Sequence, residues 1–458
     1  MSAVFPQTVS APESTATPNS FVRTLRRLPG SVFAAHLGLR VFALPASLAT
    51  TMLLSQTMGP AQFGSYAYVL AWVSLLAVPA TLGFEGFLVK EVSAALAVRD
   101  WGLLRGLIRG SERLVWLASL TICGLGFCVT LALSQMDGQW GMTFQSGVGF
   151  ALVPLVAMRQ LSRSTLQGLQ RPLPSVIPEL FVQPITFLLL VAVTAVVLHG
   201  RLSSFHAVTL QVAAGMLALV AGRLLLKNAL PREIHSAPPR AEYQSWLKSA
   251  TPFLLCQLIW LANEKLSVLT LGMTAELRDV GVFALSSSLA MLVMLPIITM
   301  DAVISGRIAH LLAIGDKAEL QRQLTRAAKV CVLVTSPIAL TEIFGGQVLL
   351  SLFREDFSAG QVVLAILAVG QFVNVASGSV GTVLTMAGHT RDAVIAAALS
   401  TAIVLACCVL LIPAFGAVGA AIAHSTGIIT FKAMLVIRVR QRLGIDPTLL
   451  SAFRRRID

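Results

Sequence analysis

The feature that most constrains this chain is a succession of about twelve long apolar stretches, each near the length of one membrane crossing. A helix rises about 1.5 Å per residue, so roughly 20 apolar residues cross a hydrocarbon core of about 30 Å. The stretches cover residues 31–58, 62–88, 110–134, 142–165, 173–198, 203–228, 245–272, 279–306, 321–345, 358–386, 391–412 and 416–438. The connections between them are too short for a folded soluble domain. Composition agrees: 56% of residues are hydrophobic and 12% charged, against about 25% charged in ordinary soluble proteins. The expected fold is therefore an all-α polytopic membrane protein.

The net charge of +13 invites a nucleic-acid reading, which the placement of the charges excludes. Among the connections, basic residues alternate. Arg23, Arg26 and Arg27 precede the first span, and none lies near Gly59 and Pro60. Lys90, Arg99, Arg105, Arg109 and Arg113 follow, and again none lies near Asp137. Continued along the chain, one side holds only Arg201, Arg278 and Arg354. The other holds all the rest except Arg40 and Lys265, with Arg159 counted in the connection after its span and Lys432 in the C-terminal tail. By the positive-inside rule the basic side is cytoplasmic, which puts both termini there. The basic residues are then topology determinants and contacts for anionic phospholipids. Reporter fusions after Gly30, Ala237 and Asp458 are expected to be cytoplasmic, and one within 347–357 external. A reversed reporter at any of the four sites breaks this topology.

Residues 1–30 read as a Ser/Thr/Pro-rich disordered cytoplasmic tail with no cleavable signal peptide. Cys123, Cys128, Cys256, Cys331, Cys407 and Cys408 fall within apolar segments, without CxxC or metal spacing. They read as small buried hydrophobes, and no metal or other cofactor is implied.

An internal repeat underlies the pattern. One constant offset carries Gly64 onto Gly281, Pro79 onto Pro296, Lys90 onto Arg307, Leu103 onto Leu320, and Arg105 and Arg109 onto Arg322 and Arg326. A slightly longer offset carries Gly168 and Arg171 onto Gly388 and Arg391. Six spans per copy return the chain to the same side, so the copies are parallel, related by a pseudo-twofold axis along the membrane normal. The expected organisation is an N-terminal six-helix lobe at 31–228, a cytoplasmic linker at 229–244, a C-terminal lobe at 245–440 and a basic tail at 441–458.

Several local motifs fit this frame. The stretch from Met58 to Tyr66 (MGPAQFGSY) resembles the opening motif of the polysaccharide-biosynthesis flippases. These belong to the multidrug/oligosaccharidyl-lipid/polysaccharide exporter superfamily. Gly315-Asp316-Lys317, with the basic helix after it, resembles the family's central cytoplasmic connection, and the stretch from Gly416 to Ala423 (GAVGAAIA) its last-helix start. The resemblance spans about residues 30 to 440. It implies two six-helix bundles in a V with alternating access to a central cavity. The implied substrate is an undecaprenyl-pyrophosphate-linked oligosaccharide, a repeat unit of O-antigen, exopolysaccharide or capsule. It also implies the bacterial inner membrane and an association with a polysaccharide polymerase and export machinery. An anionic pyrophosphate and a polar glycan require cationic and polar lining.

Two basic residues fall well inside spans, Arg40 in the first and Lys265 in the seventh. Arg40, Leu44, Ser47 and Thr51 share a helix face; Gln257, Trp260 and Glu264 share another, with Asn263 and Lys265 beside it. The candidate substrate-binding set is Arg40, Ser47, Gln257, Asn263, Glu264 and Lys265. Against this, Arg40 could snorkel to headgroups and Lys265 could simply neutralise Glu264. His36, His310, His389 and His424 lack ligand-spaced partners and read as packing residues. Glu85 and Asp301 fall near the basic ends of the second and eighth spans, beside Lys90 and Arg307. Cross-pairs of Glu85 with Arg307 and Asp301 with Lys90 would gate that side when it closes. Solvated helix ends are the plainer alternative. Pro174, Pro178, Glu179 and Pro184 mark a kinked start to the fifth span, and Glu342 lies near the outer end of the ninth.

Two other functions compete. A cation-coupled drug or metabolite exporter shares the fold but needs a buried carboxylate cluster, and the first lobe offers only Glu85 and Glu179. A membrane polysaccharide polymerase would bring a large external loop or paired acids, which the short connections do not provide, so no enzyme is expected.

Overall fold

The computed structural model describes residues 30–137, 147–235, 237–240 and 242–446. Among these, regular structure is helical throughout. The helices are α1 Gly30–Ala80, α2 Phe84–Ala97, α3 Trp101–Asp137, α4 Leu152–Gly168, α5 Pro172–Ile177, α6 Gln183–Val197 and α7 Ser204–Ala229. They continue as α8 Tyr243–Thr274, α9 Leu277–Ile314, α10 Lys317–Ser351, α11 Gln361–Ala376, α12 Val380–Met386 and α13 Thr390–Leu443. Nine helical stretches among the described residues are long and apolar enough to cross a membrane. Two of these helices hold two sequence segments each, α1 across a kink at Gly59 and α13 across one at Gly416. With the 17-residue α4, they account for every segment read from the sequence.

The outer surface is what a bilayer requires. Val196 is 77% exposed and Phe344 78% exposed, and exposed leucines such as Leu125, Leu333 and Leu410 lie on other helices. In water this much bare apolar surface would drive aggregation; in hydrocarbon it is the solvent-facing side. Inside, one apolar core runs through both lobes, joining Phe84 and Met158 to Phe283 and Leu364. A smaller core around Ile308, Leu320, Val383 and Val439 holds together the basic end of the C-terminal lobe.

Helices α1–α7 form the first lobe and α8–α13 the second, with α1 packed against both α8 and α9. Where α1 meets α9, the two chains touch backbone to backbone. A Cβ on Gly64 would lie 1.8 Å from the Leu277 carbonyl oxygen, and one on Gly281 would lie 2.0 Å from the Pro60 carbonyl oxygen. The offset that equates Gly64 with Gly281 also equates Pro60 with Leu277. The contact is therefore reciprocal, as a twofold axis between the lobes demands. It closes the arginine-poor end. Nearby, Arg354 Nη1 donates to the Gln56 carbonyl (3.2 Å), and Gln56 Nε2 donates to the Leu352 carbonyl (3.1 Å).

Three boundaries depart from the sequence reading. The segment expected at 62–88 stops at Ala80, and the chain turns through Gly83, whose φ of 76° suits a residue without Cβ. Glu85 then opens α2 instead of closing a span, so it sits at a helix N-terminus, where the dipole favours an anion. Asp301, expected near a helix end, lies within α9, which runs on to Ile314. The segment expected at 358–386 breaks between α11 and α12 around Gly378. The kinked start of the fifth span is a π-helical turn, Pro178–Val182, between α5 and α6. Such turns often mark functional sites.

Candidate functional site

Between the lobes lies a cavity of about 690 Å³. Phe63 and Tyr66 of α1 line it on the side of the Gly64–Gly281 contact. Because α1, α6, α7, α8, α9, α11 and α13 all contribute, any relative motion of the lobes changes its shape.

Of the candidate binding set, Ser47, Asn263, Glu264 and Lys265 line this cavity. Lys265 Nζ lies 2.6 Å from Glu264 Oε1, so the lysine is held in an ion pair at the cavity wall. Both sequence readings of Lys265 thus meet in one geometry, a cavity cation already neutralised by its neighbour. Asn263 Nδ2 donates to Ser400 Oγ (2.9 Å) and Thr401 Oγ1 (3.3 Å), tying α8 to α13. Trp260 lines the cavity too and meets Phe431 edge-on at 5.2 Å. Arg40 belongs to α1, but its side chain lies outside the described residues.

Gln257 is placed differently. It is not among the cavity-lining residues; its Nε2 donates to Glu85 Oε2 at 2.6 Å, joining α8 to α2 across the lobes. The sequence reading missed this because one helix face continues past the point where the cavity ends. The cross-pairs Glu85 with Arg307 and Asp301 with Lys90 are not formed in this structure. Lys90, largely exposed, lies 3.4 Å from Glu91 instead, and Arg307 is exposed. A double-mutant cycle on thermal unfolding in detergent separates these pairings. Glu85→Ala with Gln257→Ala is expected to show a coupling of about 0.5–3 kcal/mol, and Glu85→Ala with Arg307→Ala to be additive within about 0.3–0.5 kcal/mol. Additivity for the first pair would mean that this bond holds nothing together.

The structure also adds residues. Lys432 of α13 lines the cavity and lies close enough to Asp301 for their charges to interact. From the sequence it counted with the basic tail, because it falls near the end of the last apolar run. Arg159, counted there with the basic connection, instead donates from α4 to Gln183 Oε1, and Gln183 lines the cavity. Behind it, Arg163 Nη1 pairs with Glu179 Oε2 at 2.6 Å on the π-helical turn. Gln211, Gln371, Asn374 and His424 complete the polar lining that charge patterns alone did not find. The signal was present, since uncharged amides inside apolar runs are as conspicuous as charges when they are sought.

The assembled site is a cavity with two lysines, one glutamate and several amides, shared between two lobes. Its lysines and amides offer partners to a polar, anion-bearing ligand, and its shape changes with lobe position.

Comparison with known proteins places this fold. No curated protein sequence matches the chain. Among solved structures, one described as the inward-facing conformation of a multidrug resistance MATE family transporter of the MOP superfamily superposes with a TM-score of 0.70 at 14% identity, covering 87% of this chain and 94% of that one. The lipid II flippase MurJ, in an inward closed conformation, gives 0.69 at 13% identity, covering 89% and 87%. The MATE multidrug transporter DinF-BH, in complex with rhodamine 6G, gives 0.59 at 16% identity, covering 96% and 98%. At such identities the likeness is one of fold, the two-lobe transporter fold of the MOP superfamily. The MatE family model matches residues 252–410. The model described as "Polysaccharide biosynthesis protein" matches residues 33–304, more than half of the sequence, and the chain belongs to that family of multi-pass membrane transporters and flippases.

Proposed function

We propose that this protein is a flippase for an undecaprenyl-pyrophosphate-linked oligosaccharide, a repeat unit of O-antigen, exopolysaccharide or capsule, across the bacterial inner membrane. The observation that carries the reading is a cavity between the lobes with Lys265 and Lys432 in its wall amid amides. Hydrocarbon tolerates intramembrane cations only where they meet a partner, water or an anionic substrate. The substrate enters from the basic, cytoplasmic side, and alternating access carries it out, with the Gly64–Gly281 contact parting at the arginine-poor end. Arg40, Ser47, Asn263, Glu264 and Lys265 contribute to binding. Glu85, Lys90, Asp301 and Arg307 gate the cytoplasmic side, and Gln257 acts with Glu85. Both termini are cytoplasmic, and the basic rim rests on anionic phospholipids beside a polysaccharide polymerase and its export machinery.

A cation-coupled drug exporter is the second reading, favoured by the MatE match over residues 252–410 and by Glu264 in the cavity. Deleting the gene decides between them. A flippase leaves its lipid-linked glycan accumulating on the cytoplasmic leaflet. Unchanged lipid-linked glycans, together with loss of rhodamine 6G efflux, would replace this reading with the exporter.

A further inference from the structure

The polar wall of the cavity carries two kinds of group. Glu264, Lys265 and Lys432 are charged. Others are amides, among them Gln211 from α7 of the first lobe and Gln371 and Asn374 from α11 of the second. Gln371 is 7% exposed and Asn374 5% exposed, so these are not surface amides with water for company. They stand three residues apart on one face of α11, where Asn374 Nδ2 donates to Gln371 Oε1 at 3.0 Å. That bond fixes the pair and leaves Asn374 Oδ1 buried without a partner. From the other lobe, Gln211 Oε1 is likewise buried without a partner. An unmade bond on a buried carbonyl costs about 1–3 kcal/mol, and here both oxygens belong to residues that line one cavity.

The sign of these groups is informative. Both orphan atoms are hydrogen-bond acceptors. Phosphate oxygens are acceptors too and cannot complete them, whereas sugar hydroxyls and acetamido N–H groups donate. Apolar drugs and acyl chains offer nothing to either. We infer that Gln211, Gln371 and Asn374 form a glycan subsite distinct from the cationic one, so that the bound lipid rests its pyrophosphate on Lys265 and Lys432 and its sugars on the amides. The inference rests on the flippase reading and deepens it. It makes the amide wall the part of the protein that tells a sugar-bearing lipid from a bare one. A site built around hydroxyls discriminates strongly against a ligand lacking them, because its own polar groups are then left unpaired.

The test uses the full-length protein in nanodiscs of phosphatidylethanolamine and phosphatidylglycerol, titrated with two probes. One is undecaprenyl pyrophosphate without sugar; the other is the glycan-bearing lipid extracted from the deletion strain. Gln371→Leu with Asn374→Leu is expected to weaken binding of the glycan-bearing lipid about tenfold, the loss of one to two hydrogen bonds. Binding of the bare lipid stays unchanged and serves as the control for folding. Gln211→Leu, on the other lobe, is expected to give the same selective loss. Equal weakening of both lipids, or of neither, in both variants overturns the subsite while leaving the flippase reading standing. Failure of the unsubstituted protein to bind either lipid while it binds rhodamine 6G overturns the flippase reading itself.

Discussion

Replacing Lys265 and Lys432 together by alanine is expected to lower glycan export about a hundredfold or more, without reducing the amount of protein in the membrane. A hydrogen bond to a charged group contributes about 1.5–3 kcal/mol, so each lysine accounts for roughly a tenfold to hundredfold effect. The single Lys265→Ala change releases Glu264 from its 2.6 Å ion pair and leaves an uncompensated carboxylate in the cavity. It should therefore be worse than Lys265→Ala combined with Glu264→Gln. Lys432→Ala removes a positive charge that acts on Asp301, whose Oδ1 lacks a hydrogen-bond partner. Adding Asp301→Asn should not restore transport. Arg40→Ala belongs to the same series, with Arg40→Lys intermediate, because Lys keeps the charge but loses the planar two-pronged contact with phosphate. The readout is the lipid-linked glycan reaching the outer leaflet, normalised to membrane protein. Normal export by the double alanine variant would make both lysines structural.

The second large effect is expected at the lobe contact. Gly281→Leu places a Cβ 2.0 Å from the Pro60 carbonyl oxygen. Both atoms lie on helix backbone, so no side-chain rotation relieves the clash and α1 must part from α9. Overpacking of this kind costs about 1–3 kcal/mol or more, enough to shift a two-state carrier about fivefold to over a hundredfold toward the form open at the arginine-poor end. Transport should fall to background. A Thr57→Cys reporter in a cysteine-free background should become reactive to a membrane-impermeant maleimide. Gly64→Leu should behave alike, because the contact is reciprocal, and Gly281→Ala should be milder. Parental labelling and transport in Gly281→Leu would show that this contact does not close the carrier.

The site was legible in proportion to how local its signals are. Lys265, Glu264 and Asn263 stand out because a charge or amide in an apolar run is anomalous wherever it folds. Lys432 and Arg159 have the same chemistry but fall near the ends of runs, where snorkelling or a solvated connection explains them equally well. Gln257 shares a helix face with Trp260 and Glu264, yet the face extends beyond the cavity, and its amide meets Glu85 instead. Periodicity assigns a direction around a helix and says nothing of what the neighbouring helix presents at that height. The pairing of Gln371 with Asn374 could have been suspected from their spacing; the unpaired oxygen of Asn374 could not.

The sequence by itself determined the helical membrane fold, the number of apolar segments and the two-lobe repeat. Those follow from quantities summed along the chain: apolar length against bilayer thickness, the alternation of basic connections, and one offset that superposes glycines and prolines. Tertiary structure alone decided that Glu85 begins a helix, that Gly64 and Gly281 touch, and that amides from both lobes line one cavity with two lysines. These depend on turns of one or two residues, such as that at Gly83, and on contacts between positions hundreds of residues apart. A change of one turn or one kink reassigns such contacts while leaving hydropathy and charge pattern untouched.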